Sequence, residues 1–198
     1  MKKLFTILAV AAAVVACQKN ETIALDNGEA IAFGNAFVEN SVRADYSSTD
    51  IKAFKVYGTV NDVNIFNGDN VTKGTAAYGA PWTLTDAETS AVITQYWIDD
   101  AQYKFAAVVD ADKVNVDANG MPTTLEYVAA NQNDMLYNYV ERKNDKSTVG
   151  FTFTHLLAKA YFTVTNNVAD SKYTYTISNV KVTSAYQNGV YAVTGDTG

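Results

Sequence analysis

The chain has few of the residues that serve in disulfides, metal sites, catalysis and nucleic-acid binding. Its 198 residues include one cysteine, one histidine and two prolines, and 15 basic side chains accompany 21 acidic ones. A single cysteine cannot form a disulfide within the chain. An acidic protein binds nucleic acid poorly, because phosphate neutralisation needs clustered Lys and Arg. The sequence contains no Gly-rich phosphate loop and no His or Cys metal motif. We therefore expect no enzyme activity, no cofactor and no nucleic-acid partner.

The N-terminal residues have the pattern of an export signal. Lys2 and Lys3 precede an apolar run at residues 4–15, which is shorter than the about 20 residues of a membrane span but suits a signal peptide. The run leads into "VVAC", which ends at Cys17 and resembles the lipobox of bacterial lipoproteins. In such proteins the peptide is cut before the cysteine, whose thiol then carries a diacylglycerol. The alternative is an ordinary signal peptide with a cysteine there by chance.

Lipidation of Cys17 would anchor the protein to a membrane. Residues 1–16 carry two lysines and no acidic residue, so their removal leaves 182 residues with a net charge of −8. Acyl chains contribute about 0.8 kcal/mol per buried methylene, so that two or more make a firm anchor. The residue after the cysteine is Gln18 and not Asp, which by analogy with lipoprotein sorting indicates the outer membrane. We expect a covalent lipid on Cys17 and a location at the outer-membrane surface.

Composition and alternation indicate an all-β domain. The 13 tyrosines and nine phenylalanines are typical of strands and not of disorder. We interpret residues 17–50 as a lipidated segment and linker with one strand at 29–38, and residues 51–198 as the folded domain. Apolar residues share one parity in 51–60 and in 102–110, which predicts half-buried strands. The inward-facing residues predicted for these two strands are Phe54, Val56, Val60, Tyr103, Phe105, Ala107 and Val109.

Asn-Gly pairs mark the predicted turns, because both residues tolerate a positive φ. We expect a hairpin at Asn67-Gly68, a turn at Asn119-Gly120 and a chain reversal at Asn188-Gly189. Residues 124–145 are ambiguous and predict a short helix that leads into a strand.

Residues 149–167 and 172–186 each alternate with one parity and then with the other. The odd-numbered apolar residues are Phe151, Phe153, Tyr173, Tyr175 and Ile177, and the even-numbered ones are Ala158, Ala160, Phe162, Val164, Val180 and Val182. A change of one residue in register indicates a bulge, or a corner where a strand passes between sheets. Several short strands joined by turns predict a β-sandwich.

Four segments follow one another along the chain: the lipobox at Cys17, "IAFGNAFVENSVRA" (31–44), "YWIDDAQYKFAAV" (96–108) and "DMLYNYVERKNDKSTVGFTFTHLLAKAYFTVTN" (134–166). In their order and spacing they resemble the fimbrillin family, the lipoprotein pilin subunits of type V fimbriae in anaerobic Gram-negative bacteria. The last segment is the most distinctive, since it is similar to the family's Asp-x-Leu opening followed by Phe-x-Phe-x-His-x-Leu-(Ser/Ala)-Lys. The resemblance covers residues 1 to about 190.

The resemblance implies a structural or adhesive fimbrial subunit, built from β-sandwiches of short antiparallel strands of the transthyretin-like, Greek-key type. Family members usually have two such domains, so the chain would correspond to the N-terminal domain, with its C-terminal part incomplete. In such pilins a trypsin-like or arginine-specific protease removes the N-terminal segment, and a strand of the neighbouring subunit fills the groove that is left.

Carried over to this chain, the resemblance places the processing site at Arg43, with cleavage before Ala44. The strand that plugs the groove before processing would present Ile31, Phe33 and Phe37, which share parity. The alternative for Arg43 is an arginine in a solvated linker without a processing role.

Two further groups of polar residues have less specific patterns. His155 is the one histidine; it lies at a predicted parity change and fits a packing role better than a catalytic one. Oxygen ligands that suit Ca²⁺ gather in residues 110–120, but the EF-hand template is broken there, which favours a solvated acidic loop. The ligand candidates are Asp110, Asp112, Asp117 and Asn119.

Trp82, Tyr96 and Trp97 are candidates for stacking on a sugar ring, although tryptophans in a β-sandwich more often pack in the core. They lead to an alternative function, a monomeric outer-membrane lipoprotein that binds host or dietary glycans. A third interpretation is a truncated pilin that cannot close its core. The expected partners are therefore neighbouring fimbrial subunits, the outer membrane through the lipid, and a host surface protein or glycan.

Overall fold

Strands dominate the computed structural model, which describes residues 28–39, 51–75, 81–158, 162–165, 176–183 and 185–193. The strands are β1 (Phe33–Val38), β2 (Ala53–Val60), β3 (Val63–Lys73), β4 (Trp82–Thr85), β5 (Gln102–Val109), β6 (Lys113–Val116), β7 (Pro122–Val128), β8 (Leu136–Lys143), β9 (Val149–His155) and β10 (Asn188–Ala192). One 3₁₀ turn, Ala129–Asn131, lies between β7 and β8. The prediction of an all-β protein is confirmed.

The strands form two sheets. The larger has the order β1-β9-β8-β5-β2-β3-β4 and the smaller the order β10-β7-β6. Every pairing in the two sheets is antiparallel except that of β1 with β9, which is parallel. The β-sandwich architecture is therefore confirmed, whereas the expectation of antiparallel strands throughout is wrong for β1.

The first core lies on the inner face of the larger sheet. The sheet curls around it, since the two edge strands β1 and β4 contact each other. The predicted inward-facing residues of β2 and β5 all lie in this core, as do Phe151 and Phe153 of β9. Alternation on these three strands is thus confirmed, because one face of each strand packs against aromatic side chains.

The second core lies between the outer face of the larger sheet and the smaller sheet. It includes Tyr57, Ala106, Tyr137, Leu125 and Val193. Tyr57 and Thr59 of β2 have the parity opposite to that of the predicted inward-facing residues, yet they are buried at 6% and 1% exposure. The prediction of a half-buried strand is wrong here because the smaller sheet covers a face that alternation marks as polar.

The predicted hairpin at Asn67-Gly68 is wrong. The chain reverses between β2 and β3 at Asn61 and Asp62, whose φ angles are 47° and 63°. Gly68 lies inside β3 with φ +80°, where the register against β2 slips between Val56 and Tyr57. An Asn-Gly pair signals a positive φ, and a β-bulge needs this conformation as much as a hairpin does.

The other turn predictions have mixed outcomes. The turn at Asn119-Gly120 is confirmed: Gly120 has φ +82°, and the segment joins β6 to β7. Asn188 and Gly189 do not reverse the chain but begin β10, where they pair with Val128 and Tyr127. In 124–145 the predicted helix is a single 3₁₀ turn between two strands.

The predicted parity changes after β9 do not appear as continuous strands. β9 ends at His155, and residues 156–158, 162–165 and 176–183 form no strand. The apolar side chains of Phe162, Val164, Ile177, Val180 and Val182 are exposed. Ala160, Tyr173 and Tyr175 lie outside the described residues.

Candidate functional site

The strand β1 is held at the edge of the larger sheet by β9. Phe33 pairs with Val149 and Val38 with Phe153 along the parallel register. The N–H of Val149 donates to the carbonyl of Ala32 at 2.8 Å, and the N–H of Glu39 donates to the carbonyl of Phe153 at 2.9 Å. On its other side β1 contacts the edge strand β4, with which it forms no ladder.

The residues just before β1 are held by a second segment of the chain. Ala30 forms a bridge with Tyr96. The N–H of Ile31 donates to the carbonyl of Gln95 at 2.8 Å, and the N–H of Trp97 donates to the carbonyl of Glu29 at 3.0 Å. Residues 29–38 therefore bridge two parts of the domain, the loop before β5 and the strand β9.

Phe33, the first residue of β1, supplies the large buried side chain of this strand. It is 6% exposed, and its ring lies 5.4 Å from Phe66, 5.9 Å from Phe105 and 6.0 Å from Phe151 between centroids. Ile31 is 5% exposed in the same core. Burial of each of these two side chains contributes about 1.5–3 kcal/mol, so β1 and the residues just before it form a substantial part of the core.

Of the three residues predicted for the plug strand, two are buried in the core and one is exposed. Ile31 and Phe33 point into the core, but Phe37 is 53% exposed. The register against β9 slips between Gly34 and Ala36, which reverses the facing of every later residue. Ala36 is buried in place of Phe37, and Val38 packs against the same core. The Gly34-Asn35 pair is the signal in the sequence that could have indicated this bulge.

A shallow cavity of about 220 Å³ marks the seam between β1 and β4. Its lining includes Ile31, Phe33, Trp82, Leu84 and Ile93. A Cβ atom on Gly34 would lie 2.9 Å from the side chain of Thr148, so the backbone of β1 is seated closely at this point. The seam is the only part of the described larger sheet where two strand edges meet without a ladder.

Cys17, Arg43 and Ala44 lie outside the described residues. The order of the chain nevertheless defines their relation to β1: Cys17 precedes the strand, and Arg43 follows its last residue, Val38, by five positions. Because β1 is the first strand described, a cut at Arg43 would sever its covalent link to every other described strand.

The three aromatic residues considered for glycan stacking do not form one exposed platform. Trp97 is fully buried, in edge contact with Tyr103 at 4.7 Å and with the Arg142 guanidinium over its ring at 5.6 Å. The prediction of a sugar contact at Trp97 is therefore wrong, because the ring fills the core. Trp82 is half-buried and packs 5.3 Å from Phe54, and Tyr96 is 36% exposed.

The acidic residues considered for calcium serve separate turns. The carboxylate of Asp112 accepts from the N–H of Val128 at 2.6 Å, and that of Asp117 accepts from the N–H of Asn119 at 2.8 Å and of Met121 at 2.9 Å. Within the described ranges, no group of three or more His, Cys, Asp or Glu side chains is placed to hold a metal ion. Asp110 directly follows the end of β5 and has φ 54°.

His155 ends β9 and is held by a carboxylate. Its Nδ1 lies 2.8 Å from Oδ1 of Asp134, and its side chain is 8% exposed. Both residues belong to the segment 134–166 that carries the clearest resemblance. The contact joins the end of β9 to the start of β8, where Leu136 pairs with His155.

Comparisons with known proteins give no relative for this chain: no family model, no curated protein and no solved structure matches it. In the described part of the chain, no helix has the length and apolar character needed to cross a membrane. The described residues form an all-β sandwich in which the first described strand, β1, lies at a sheet edge and fills part of the core.

Proposed function

We propose that this chain is a cell-surface lipoprotein of the fimbrillin type, a structural or adhesive subunit of fimbriae that assemble by protease-triggered donor-strand exchange. The observation that supports it best is the position of β1. The first described strand lies at a sheet edge and fills the core with Phe33, and Arg43 follows its last residue by five positions.

Removal of β1 would create a site for another strand. The backbone of β9 would lose its partners at Val149 and Phe153, and an unpaired strand edge recruits a strand from elsewhere. The pocket left by Phe33 would expose the rings of Phe54, Phe66, Phe105 and Phe151, which surround it. A replacing strand would therefore need one large apolar side chain at the matching position.

The lipid on Cys17 would act as a delivery device in this proposal. It holds the subunit at the outer membrane until cleavage after Arg43 releases the folded part together with an open groove. Partners would be neighbouring subunits, with a host surface protein or glycan for an adhesive subunit. The proposal assigns the chain no catalytic residue and no cofactor.

The experiment is to determine the N-terminus of the protein on intact cells by mass spectrometry of the surface fraction, together with electron microscopy of fibres. The proposal expects a population that begins at Ala44, and fibres that contain it. Arg43→Ala should remove both, whereas Ser41→Ala, a matched change in the same linker, should leave both unchanged.

A chain that begins only at lipidated Cys17 would contradict the proposal and favour the alternative, a monomeric lipoprotein that binds glycans. The burial of Trp97 weakens the original site for that alternative. A glycan site elsewhere on the molecule is a separate question, which does not depend on strand exchange.

A further inference from the structure

The outer face of the larger sheet carries a cleft that the strand-exchange site does not use. Its volume is about 310 Å³, at the low end of the range of about 300–1,000 Å³ typical of small-molecule sites. The cleft lies between the sheet and the hairpin of β6 and β7, on the side of the sheet opposite the first core. Its lining includes Thr59, Asp62, Lys104, Asp117, Asn119 and Tyr139.

Side chains from neighbouring strands form the floor of the cleft. Thr59 of β2 and Lys104 of β5 are direct cross-strand partners, and Tyr139 of β8 is paired with the next residue along that face, Ala106. The Nζ of Lys104 lies 2.7 Å from Oδ1 of Asp62 in the β2–β3 turn. This places an aromatic ring, an ammonium group and a carboxylate beside one another.

The wall of the cleft is a hairpin held in one position. Asn64 donates from Nδ2 to the carbonyl of Asn119 at 3.3 Å and to that of Phe66 at 3.0 Å. A Cβ on Gly120 would lie 2.1 Å from the same amide, so the tip of the hairpin packs directly on β3. Asp117 is fixed by its two backbone contacts within the turn. The cleft is therefore largely pre-formed.

Thr59 provides an independent sign of a ligand. Its side chain is 1% exposed, and its Oγ1 is buried without a hydrogen-bond partner among the described residues. A buried hydroxyl left in this state costs free energy unless something else supplies a partner. Thr59 lines the cleft, so a ligand hydroxyl there would supply the partner once a rotation about χ1 turns Oγ1 toward the cleft.

The chemistry of the lining selects the class of ligand. Lys104, Tyr139 and Thr59 offer donors, and the carboxylates of Asp62 and Asp117 offer acceptors, which together suit a molecule whose hydroxyls both donate and accept. The Tyr139 ring adds an apolar surface. Two carboxylates against one ammonium group disfavour an anion. We infer that this cleft binds one ring of a neutral saccharide.

The phenol of Tyr139 is suited to this role at physiological pH. Burial, followed by the nearby Glu141 carboxylate, raises its pKa above the ordinary value. The hydroxyl therefore remains protonated and can donate a hydrogen bond to a sugar oxygen.

The test is ligand-observed saturation-transfer NMR on the full chain as purified from cells. The probes are methyl glycosides of neutral hexoses and N-acetylhexosamines, with sialic acid as the anionic comparator. We expect transfer to at least one neutral glycoside with a Kd of about 1 mM or tighter, and weaker or no transfer to sialic acid.

Two variants locate the site. Thr59→Val should weaken binding about three- to tenfold, the value of one hydrogen bond, without lowering the unfolding temperature, because it replaces an unpartnered hydroxyl by a methyl group. Tyr139→Ala should weaken binding by a similar factor through loss of the ring. Thr152→Val and Tyr191→Ala, at exposed positions of β9 and β10 outside the cleft, are matched controls that should bind as the unmodified chain does.

The inference is overturned if no neutral glycoside shows transfer, if sialic acid binds as tightly as the best of them, or if Tyr139→Ala binds with unchanged affinity. If Thr59→Val does not fold, Tyr139→Ala alone decides. None of these results bears on cleavage at Arg43, so failure here and failure of strand exchange are distinguishable.

Discussion

At the scale of single residues, Phe33 and Phe37 show how one bulge divides two similar side chains. Both were expected on the same face, but Phe33 is 6% exposed and Phe37 is 53% exposed. The inserted residue Asn35 lies between them, where the register against β9 slips. Only the first phenylalanine therefore contributes to the core that β1 completes.

The energetic difference between these two side chains is measurable. We expect Phe33→Ala to lower the free energy of unfolding by about 3–5 kcal/mol, because it empties the centre of an aromatic cluster. Phe37→Ala, the matched control, should change it by less than about 1 kcal/mol. Urea unfolding followed by tyrosine and tryptophan fluorescence would measure both. Equal losses would show that β1 is not anchored by Phe33.

Gly68 is the second residue whose role the structure changes. Its φ of +80° and the Tyr57 hydroxyl, which would lie 2.9 Å from an added Cβ, both oppose a side chain. We predict that Gly68→Ala lowers stability by about 1–2 kcal/mol. Gly189→Ala is the control, since it has no heavy atom within 4 Å of an added Cβ. Comparable thermal unfolding of the two variants would argue against the bulge.

At the scale of elements, alternation was sufficient to predict the strands whose inner face packs against aromatic rings. Phe54 and Val56 of β2 and Tyr103 and Phe105 of β5 were placed correctly for this reason. The parallel partner of β1 could not be predicted, because strand order depends on contacts between residues far apart in the chain. The same holds for the burial of Thr59, which depends on a second sheet that begins more than 50 residues later.

For the candidate sites too, local features were predictable from the sequence, whereas features that depend on distant residues were not. The sequence pattern was sufficient to predict a strand in residues 29–38, and the structure places β1 at Phe33–Val38, at an edge of the larger sheet and parallel to β9. The prediction that Trp97 stacks on a sugar ring is wrong because Trp97 is a core residue. Local sequence does not distinguish a core tryptophan from an exposed one. The cleft on the outer face joins residues of β2, β5, β8 and the β6–β7 turn, a juxtaposition that no short motif reports.

The loop between β8 and β9 provides a test of pH dependence. Asp145 accepts hydrogen bonds from the Arg142 guanidinium and from the N–H of Ser147, and these contacts lower its pKa from 3.8 to about 2. Because the pKa of Asp145 is lower in the folded state than in the unfolded state, its ionised carboxylate stabilises the fold at any pH above the unfolded-state pKa. This contribution is lost as the pH falls toward the folded-state pKa of about 2. The side chain of Asp145 is 55% exposed, so screening limits the effect to about 1 kcal/mol or less.

We therefore expect Asp145→Asn to be slightly less stable than the unmodified chain at neutral pH, and equally stable near pH 2. Urea unfolding at a series of pH values would measure the gap. A gap that is constant across this range would mean that the substitution acts through packing and not through the charge.

At the scale of the whole molecule, the site of strand exchange and the candidate ligand cleft lie in different places. The inner face of the larger sheet holds the core that β1 completes, and its outer face, with the smaller sheet, holds the cleft. Exchange of the edge strand would leave the cleft residues in place, since none of them belongs to β1 or β9. A subunit of this design would assemble through the sheet edge at β1 and present a binding site on the outer face of the larger sheet.

The decisive property of the whole molecule is whether β1 can leave and be replaced. After cleavage at Arg43 the strand is held only by non-covalent contacts, so we expect the cut chain to unfold at a lower temperature than the uncut chain. Excess synthetic peptide of residues 28–39 should restore stability by mass action, by about 2.7 kcal/mol at a concentration 100 times its Kd.

The control is the same peptide with Phe33→Ala, which should restore much less because it cannot fill the pocket among the surrounding phenylalanines. Thermal unfolding, with the cut confirmed by mass spectrometry, would measure each case. The proposal is contradicted if the cut chain unfolds at the same temperature as the uncut chain and neither peptide changes that temperature. In that case β1 contributes no stability that a donor strand could replace. If the native peptide alone restores the unfolding temperature, the groove selects its occupant by the side chain at position 33, as a subunit joined by strand exchange requires.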